Sequence, residues 1–229
     1  MHSQFIAPAF FAATLAIYAF SKYLYLRHRA FLFSPIVLTP LLLITMLELT
    51  HTSFAVYFQD TRWLTWLLGP ATIAFAYPIY TQRALIRRYP ITLTVGVAAG
   101  LVLGLASSWL LARAFALPPE VARSLLPRSV STPFAVSAAT AWGGDRNLTV
   151  ICVMITGIFG ASVGDVLLDR LKLRSGISRG AALGASAHGL GTSKAYELGE
   201  EEGAVASLVM VFAGVAMVLL APAVTRFLL

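Results

Sequence analysis

The chain has 229 residues, 58% of them hydrophobic and only 12% charged. That much apolar surface excludes a soluble globular domain and indicates one polytopic membrane domain over residues 1–229. The net charge of +7 does not indicate nucleic acid, because the basic residues stand in short clusters between apolar runs, the pattern of cytoplasmic loops rather than of a binding stripe.

About 20 apolar residues cross a hydrocarbon core. Charge-free runs at 5–21, 30–47, 63–82 and 89–112 give four expected spans; the charge-free runs 147–164 and 203–225, with 180–198, which carries Lys194 and Glu197, give three more. The first run lacks a basic n-region and an A-x-A site, so residues 4–29 are expected to remain as a peripheral first helix. The third contains Gly69-Pro70-Ala71-Thr72, where a break would offer backbone donors and the Thr72 hydroxyl to a ligand. A plain proline kink is the competing reading. Gly96, Gly100 and Gly104 recur every fourth residue in the fourth run, and Gly160 and Gly164 do so in the fifth, a spacing that lets helices approach closely. Cys152, the only cysteine, excludes an intrachain disulfide and reads as a buried bland thiol.

Residues 119–142 are interrupted by Pro127, Arg128 and Pro133. Basic clusters follow the first, third and fifth runs (Lys22, Arg27 and Arg29; Arg83, Arg87 and Arg88; Arg170, Lys172, Arg174 and Arg179). They share the cytoplasmic side only if 119–142 enters and leaves on the outer side. The expectation is a re-entrant hairpin, with the N-terminus outside and the C-terminus cytoplasmic. Pro127 and Pro133 free backbone groups at its turn, and Arg128, Ser129, Ser131 and Thr132 supply a guanidinium fork and hydroxyls suited to a carboxylate. The competing reading is an interfacial arginine that reaches for water.

Residues 180–202 are the most informative stretch. They are built largely of Gly, Ala and Ser, yet carry His188, Lys194 and Glu197. Charges at membrane depth cost a few kcal/mol and usually line a substrate or ion path. Gly189 and Gly191 weaken the helix beside His188, and Thr192 and Ser193 add hydroxyls at that break. His188 is either a satisfied interhelical hydrogen bond or a group that couples a proton to transport. Lys194 either neutralises substrate or pairs with Glu197 three residues on. The two interrupted helices, at Gly69-Pro70 and at 188–192, fall at matching places in residues 30–115 and 147–229. Paired broken helices in inverted halves point to a transporter site. The expected class is therefore all-α, with about seven transmembrane helices, a re-entrant hairpin at 119–142 and inverted repeats. No Cys/His metal spacing, phosphate loop or nucleophile elbow is present, so neither an enzyme, a metal nor a cofactor is expected.

Three long elements then carry a resemblance. LLGPATIAFAYPIY at 67–80, LLPRSVSTPFA at 125–135 and RGAALGASAHGLGTSKAYELGE at 179–200 together resemble the LrgB/CidB family of bacterial membrane proteins. The likeness covers nearly the whole chain. Ala187 and Leu190 stand where the family has Ser and Ile, Ser193-Lys194 replaces Ala-Arg, and Arg128 replaces a usual Lys; the exchanged cations alter donor geometry. The resemblance implies a bacterial inner-membrane location and two functions. One is holin-like or antiholin-like modulation of murein hydrolase export and cell lysis. The other, from the plastidal glycolate/glycerate translocator, is transport of small 2-oxo or 2-hydroxy monocarboxylates such as pyruvate, glycolate, glycerate or lactate. It also implies an LrgA-type membrane partner, and the glycine-rich spans suggest a homodimer. Buried Arg128, His188 and Lys194 beside paired breaks favour the carrier.

Overall fold

The structure is a computed structural model that describes residues 3–28, 30–74 and 76–228. Regular structure among them is entirely helical, as expected of a chain that must satisfy its backbone polar groups within itself in hydrocarbon. Among the described residues, four helices are long and apolar enough to cross a bilayer: Ala9–His28, Pro90–Ala114, Arg146–Gly164 and Glu200–Arg226. Pro35–Leu49 is apolar but shorter. The chain divides into two compact units, Met1–Ala71 and Thr72–Leu229.

In the first unit, α1 (Ser3–His28), α2 (Pro35–Leu49) and α3 (Phe54–Trp66) pack together. The hydroxyls of Thr14 and Tyr57 lie 3.1 Å apart, and Phe10 meets Tyr57 edge-on with ring centroids 6.0 Å apart. The expected interruption at Gly69-Pro70 falls slightly earlier, at Leu67, where α3 ends. Gly69 and Pro70 lie within α4 (Leu68–Ala74), in its first turn, where a proline's missing N–H removes no helical bond. The side chain of Thr72 lies outside the described ones.

The second unit continues through α5 (Ala76–Thr81) and α6 (Arg83–Arg88) to α7 (Pro90–Ala114), α8 (Pro119–Leu125), α9 (Thr132–Ala141), α10 (Arg146–Arg170), α11 (Gly176–Leu198) and α12 (Glu200–Leu228). Asp145 caps α10 by accepting from Leu148 N–H at 2.8 Å, the N-cap role for which a short carboxylate is well suited.

Close approaches at glycines fix the register. A Cβ on Gly96 would lie 3.4 Å from Ala181 Cβ, and one on Gly100 only 2.9 Å from Ala185 Cβ, so α7 and the first half of α11 run parallel. A Cβ on Gly160 would stand 2.6 Å from Ala187 Cβ, and one on Gly164 2.7 Å from Leu183 Cδ2, so α10 runs antiparallel to that same half. The small-xxx-small spacings thus serve close packing. Between helices in lipid such packing stabilises through dispersion, because the tails outside are as apolar as the side chains.

α11 is not a straight rod. His188 has φ 41° and ψ −126°, and beyond it the chain doubles back until Gly191 abuts the Leu183 carbonyl and Ala187 Cβ. Its two ends meet, since Gly176 and Gly199 both pack against the Glu202 carboxylate. A straight helix would hold those glycines about 34 Å apart. Residues 176–187 and 189–198 are the two arms of a helical hairpin with His188 at its tip. The sequence reading has 180–198 crossing the bilayer with Glu200–Glu202 on the far side. The structure corrects this, because the end of the second arm returns to the start of the first. α12 then runs parallel to the first arm, with Gly180 against Glu202 and Gly184 against Ala206.

α8 and α9 form another hairpin, the first in chain order. Asp145 N–H donates to Ser124 Oγ at 2.7 Å, which ties the descending arm to the segment that follows the ascending one. Pro133 opens α9 near its N-terminus, a position that tolerates its missing donor. Phe134 lies against Gly214, and Trp142 Nε1–H donates to Ala221 O at 2.9 Å, so α9 runs parallel to α12. Leu126, Val130, Ala138, Val153 and Met217 close a common buried cluster.

The same motif thus appears twice in opposite senses. α7 is followed by a hairpin that starts from the end of α7, and α10 by a hairpin that starts from the end of α10. Because α11 doubles back, the C-terminal end of α12 lies at the end of the unit opposite the loop carrying Arg170, Lys172 and Arg174. The sequence reading, which counts 180–198 as a crossing, puts the two together.

Candidate anion-binding site

Both hairpin tips reach the same short stretch of α10, residues 153–157. Thr156 lies ten residues into α10, about 15 Å from its start and half the thickness of a hydrocarbon core.

At the tip of the first hairpin, Arg128 points into a rack of hydroxyls. Its Nε–H donates to Ser108 Oγ at 2.9 Å, Nη2–H to Ser107 Oγ at 3.0 Å and Nη1–H to Thr156 Oγ1 at 3.4 Å. Each acceptor is oriented by its own helix. Ser107 and Ser108 donate to Gly104 O at 3.1 and 2.8 Å, and Thr156 donates to Cys152 O at 2.8 Å. A hydroxyl bonded backwards in this way turns its lone pairs outward, towards the guanidinium. Among the described residues no carboxylate is paired with Arg128. The side-on Nε/Nη2 fork is filled by the two serines. Of the five guanidinium donors, one on each Nη remains, and together they form an end-on fork.

Ser129 follows, 7% exposed, with a buried Oγ that has no partner among the described residues. Gly104 leaves it room, because a Cβ there would collide with that oxygen. Arg128, Ser129, Ser107 and Thr156 line one end of a cleft of about 670 Å³ between α7 and the first arm of α11. Ser131 is also buried, with an Oγ that has no partner among the described residues; it stands at the N-cap position of α9 without a side-chain cap bond and is absent from the cleft wall. Thr132, half-buried, is the first residue of α9. Pro127 is fully buried in the turn.

At the other tip, His188 is 6% exposed, and its Nε2 lies 3.0 Å from Val153 O. A carbonyl only accepts, so Nε2 carries the hydrogen. A Cβ on Gly157 would sit 2.8 Å from that nitrogen, so the ring packs against α10, and His188 does not line the cleft. Thr192 donates back to His188 O at 2.9 Å, and Ser193 to Gly189 O at 3.1 Å. Lys194 Nζ pairs with Glu197 Oε2 at 3.1 Å. The sequence reading joins Thr192, Ser193 and Lys194 to Arg128 in one site. The fold-back at His188 places those three on the second arm, and none of them lines the cleft, whose wall comes from the first arm. What sequence reasoning overlooks is the rack itself, Ser107, Ser108 and Thr156, together with Ser178 and Ser186 on the first arm.

Over residues 14–227 the chain matches the description "LrgB-like family". It belongs to the LrgB-like family. It is 36% identical to YxaC of Bacillus subtilis over 94% of each chain. It is 32% identical to the antiholin-like protein LrgB of the same organism over 91% of each. Identity to the holin-like protein CidB of Staphylococcus epidermidis is 28%, again over 91% of each. No solved structure matches the chain. Family and apolar helices together identify a membrane protein with a lipid bilayer as its surroundings.

Proposed function

We propose that this LrgB-like chain is a secondary transporter of small 2-oxo and 2-hydroxy monocarboxylates such as pyruvate, glycolate, glycerate or lactate. One observation carries the reading. Arg128 is a cation at mid-depth, held by neutral hydroxyls and left without a counter-charge at the mouth of a cleft. An uncompensated charge in a low-dielectric interior costs several kcal/mol, and an incoming carboxylate would supply what is missing. The carboxylate binds end-on through the free Nη donors, and the Ser129 hydroxyl serves the neighbouring oxo or hydroxy group. His188 positions the second tip through Val153; proton coupling, if this residue supplies it, requires that bond to break. Lys194 is paired with Glu197 on the second arm and acts outside the binding step.

On this reading both hairpins are re-entrant, entering from opposite faces, and the inverted units are residues 90–142 and 146–198. Inverted repeats with broken helices meeting at the midplane are a recurring carrier design. Arg83, Arg87, Arg88, Arg170, Lys172 and Arg174 face the cytoplasm of a bacterial inner membrane by the positive-inside rule, which puts the end of α12 on the outer face. An LrgA-type partner enters the proposal through the family resemblance, and a homodimer through the glycine-rich spans.

A second reading, a holin-like or antiholin-like protein that modulates murein hydrolase export and lysis, is backed by the names of the relatives LrgB and CidB. Those names speak for it more directly than for transport, whereas the geometry of Arg128 speaks for the carrier. Proteoliposomes separate the two. The carrier reading expects uptake of labelled pyruvate or glycolate above empty vesicles, abolished by Arg128→Gln, with an entrapped dye retained. Dye release without saturable, Arg128-dependent uptake establishes the pore.

A further inference from the structure

The cleft is larger and greasier than a three-carbon acid requires. It follows α7 from Ile91 to Ser107, sixteen residues or about 24 Å along the helix. Arg128 is the single charged residue in its wall, and it stands at one end. Away from Arg128 the wall carries no charge and is mostly apolar, with Val95, Ala99 and Leu103 on α7 and Ala182 and Ala185 on α11, interrupted by the hydroxyls of Ser186 and, at the far end, Thr92 and Ser178. Scaled from the ~30 Å³ of one liquid water, an acid of six heavy atoms fills roughly a quarter of about 670 Å³. A second carboxylate on the ligand would be desolvated along that wall without a cation to meet it.

We propose that the cleft accepts monocarboxylates bearing an apolar tail, with the carboxylate end-on at Arg128 and Ser129 and the tail lying between α7 and the first arm of α11. The proposal rests on the carboxylate reading above and extends it from two- and three-carbon acids to acids of medium chain length. A methylene moved from water into a fully apolar site tightens binding about fourfold. In a cleft walled on part of its circumference about half of that is realised, or roughly twofold per methylene. Octanoate, four methylenes longer than butyrate, therefore binds at least tenfold tighter.

The test is equilibrium binding to the full chain in nanodiscs with labelled octanoate, competed by butyrate, hexanoate, octanoate and the uncharged octanamide. The expected result is a monotonic gain with tail length, no competition by octanamide, and loss of all binding in Arg128→Gln. Ala99 is exposed and lines the cleft, so Ala99→Leu fills the tail path without entering the core and compresses the octanoate-to-butyrate ratio at least fivefold. Butyrate and octanoate binding equally well, both dependent on Arg128, overturns the tail and leaves the carboxylate reading standing. Octanamide competing as well as octanoate also overturns the tail proposal, since the tail is then merely partitioning like a lipid. Failure of every acid to bind removes both readings.

Discussion

His188 offers a test in which two structures predict opposite signs. At φ 41° and ψ −126° it occupies backbone space that favours glycine; holding a side chain there costs on the order of 1–3 kcal/mol. Its ring contributes through the contact with Val153 O and its packing on α10. Both His188→Ala and His188→Gly forfeit the ring, at about 2–3 kcal/mol for a buried side chain of this size with one hydrogen bond. They differ in the backbone. Glycine relieves the strain and loses about 0.5–1 kcal/mol through the freedom it gains when unfolded, so the glycine variant is more stable than the alanine variant by about 1–2 kcal/mol. In a continuous helix the order reverses, because glycine there is worse than alanine by about 1 kcal/mol. Thermal unfolding in mild detergent, followed by tryptophan fluorescence, reads the difference as about 2–8 °C for a chain of this length. The expected ranking is wild type, then His188→Gly, then His188→Ala. An alanine variant that melts at or above the glycine variant refutes the hairpin tip.

Other consequences are as specific. Cysteines at Gly176 and Gly199 in a Cys152→Ala background are expected to join through a short bifunctional thiol reagent, since both sites flank the Glu202 carboxylate; two unlinked thiols by mass would mean an unfolded hairpin. Gly104→Ala places a methyl on Ser129 Oγ and is expected to lower stability by about 1–3 kcal/mol by overpacking. Wild-type melting would show that the α7–tip contact is absent. Trp142→Phe removes the donor to Ala221 O and is expected to cost about 1 kcal/mol, measured as a lower melting temperature.

The helical class, and four of the seven expected spans as long apolar helices, were legible in the chain. Two prolines around Arg128 and the loop charges left 119–142 no straightforward way across. The second hairpin was not legible. A Gly-rich break beside His188 looks the same whether the chain kinks or reverses, and the acidic Glu200–Glu202 reads naturally as a far rim. What decides is tertiary, the single carboxylate of Glu202 between the two ends of α11. Arg128 and Ser129 stood out as polar residues in apolar surroundings. Their partners did not, because a lone Ser or Thr in an apolar helix ordinarily satisfies itself on the preceding turn. Ser107, Ser108 and Thr156 do so while also accepting from Arg128.

Accessibility of the tip tests the central claim most directly. Ser129→Cys, in a Cys152→Ala background and in oriented proteoliposomes, is to be treated with a membrane-impermeant thiol reagent from each face in turn. A carrier site at the meeting of two re-entrant hairpins predicts slow labelling from both faces, with pyruvate or butyrate slowing each reaction. Fast labelling from both faces that is indifferent to carboxylate, or labelling from one face alone that no carboxylate alters, contradicts it.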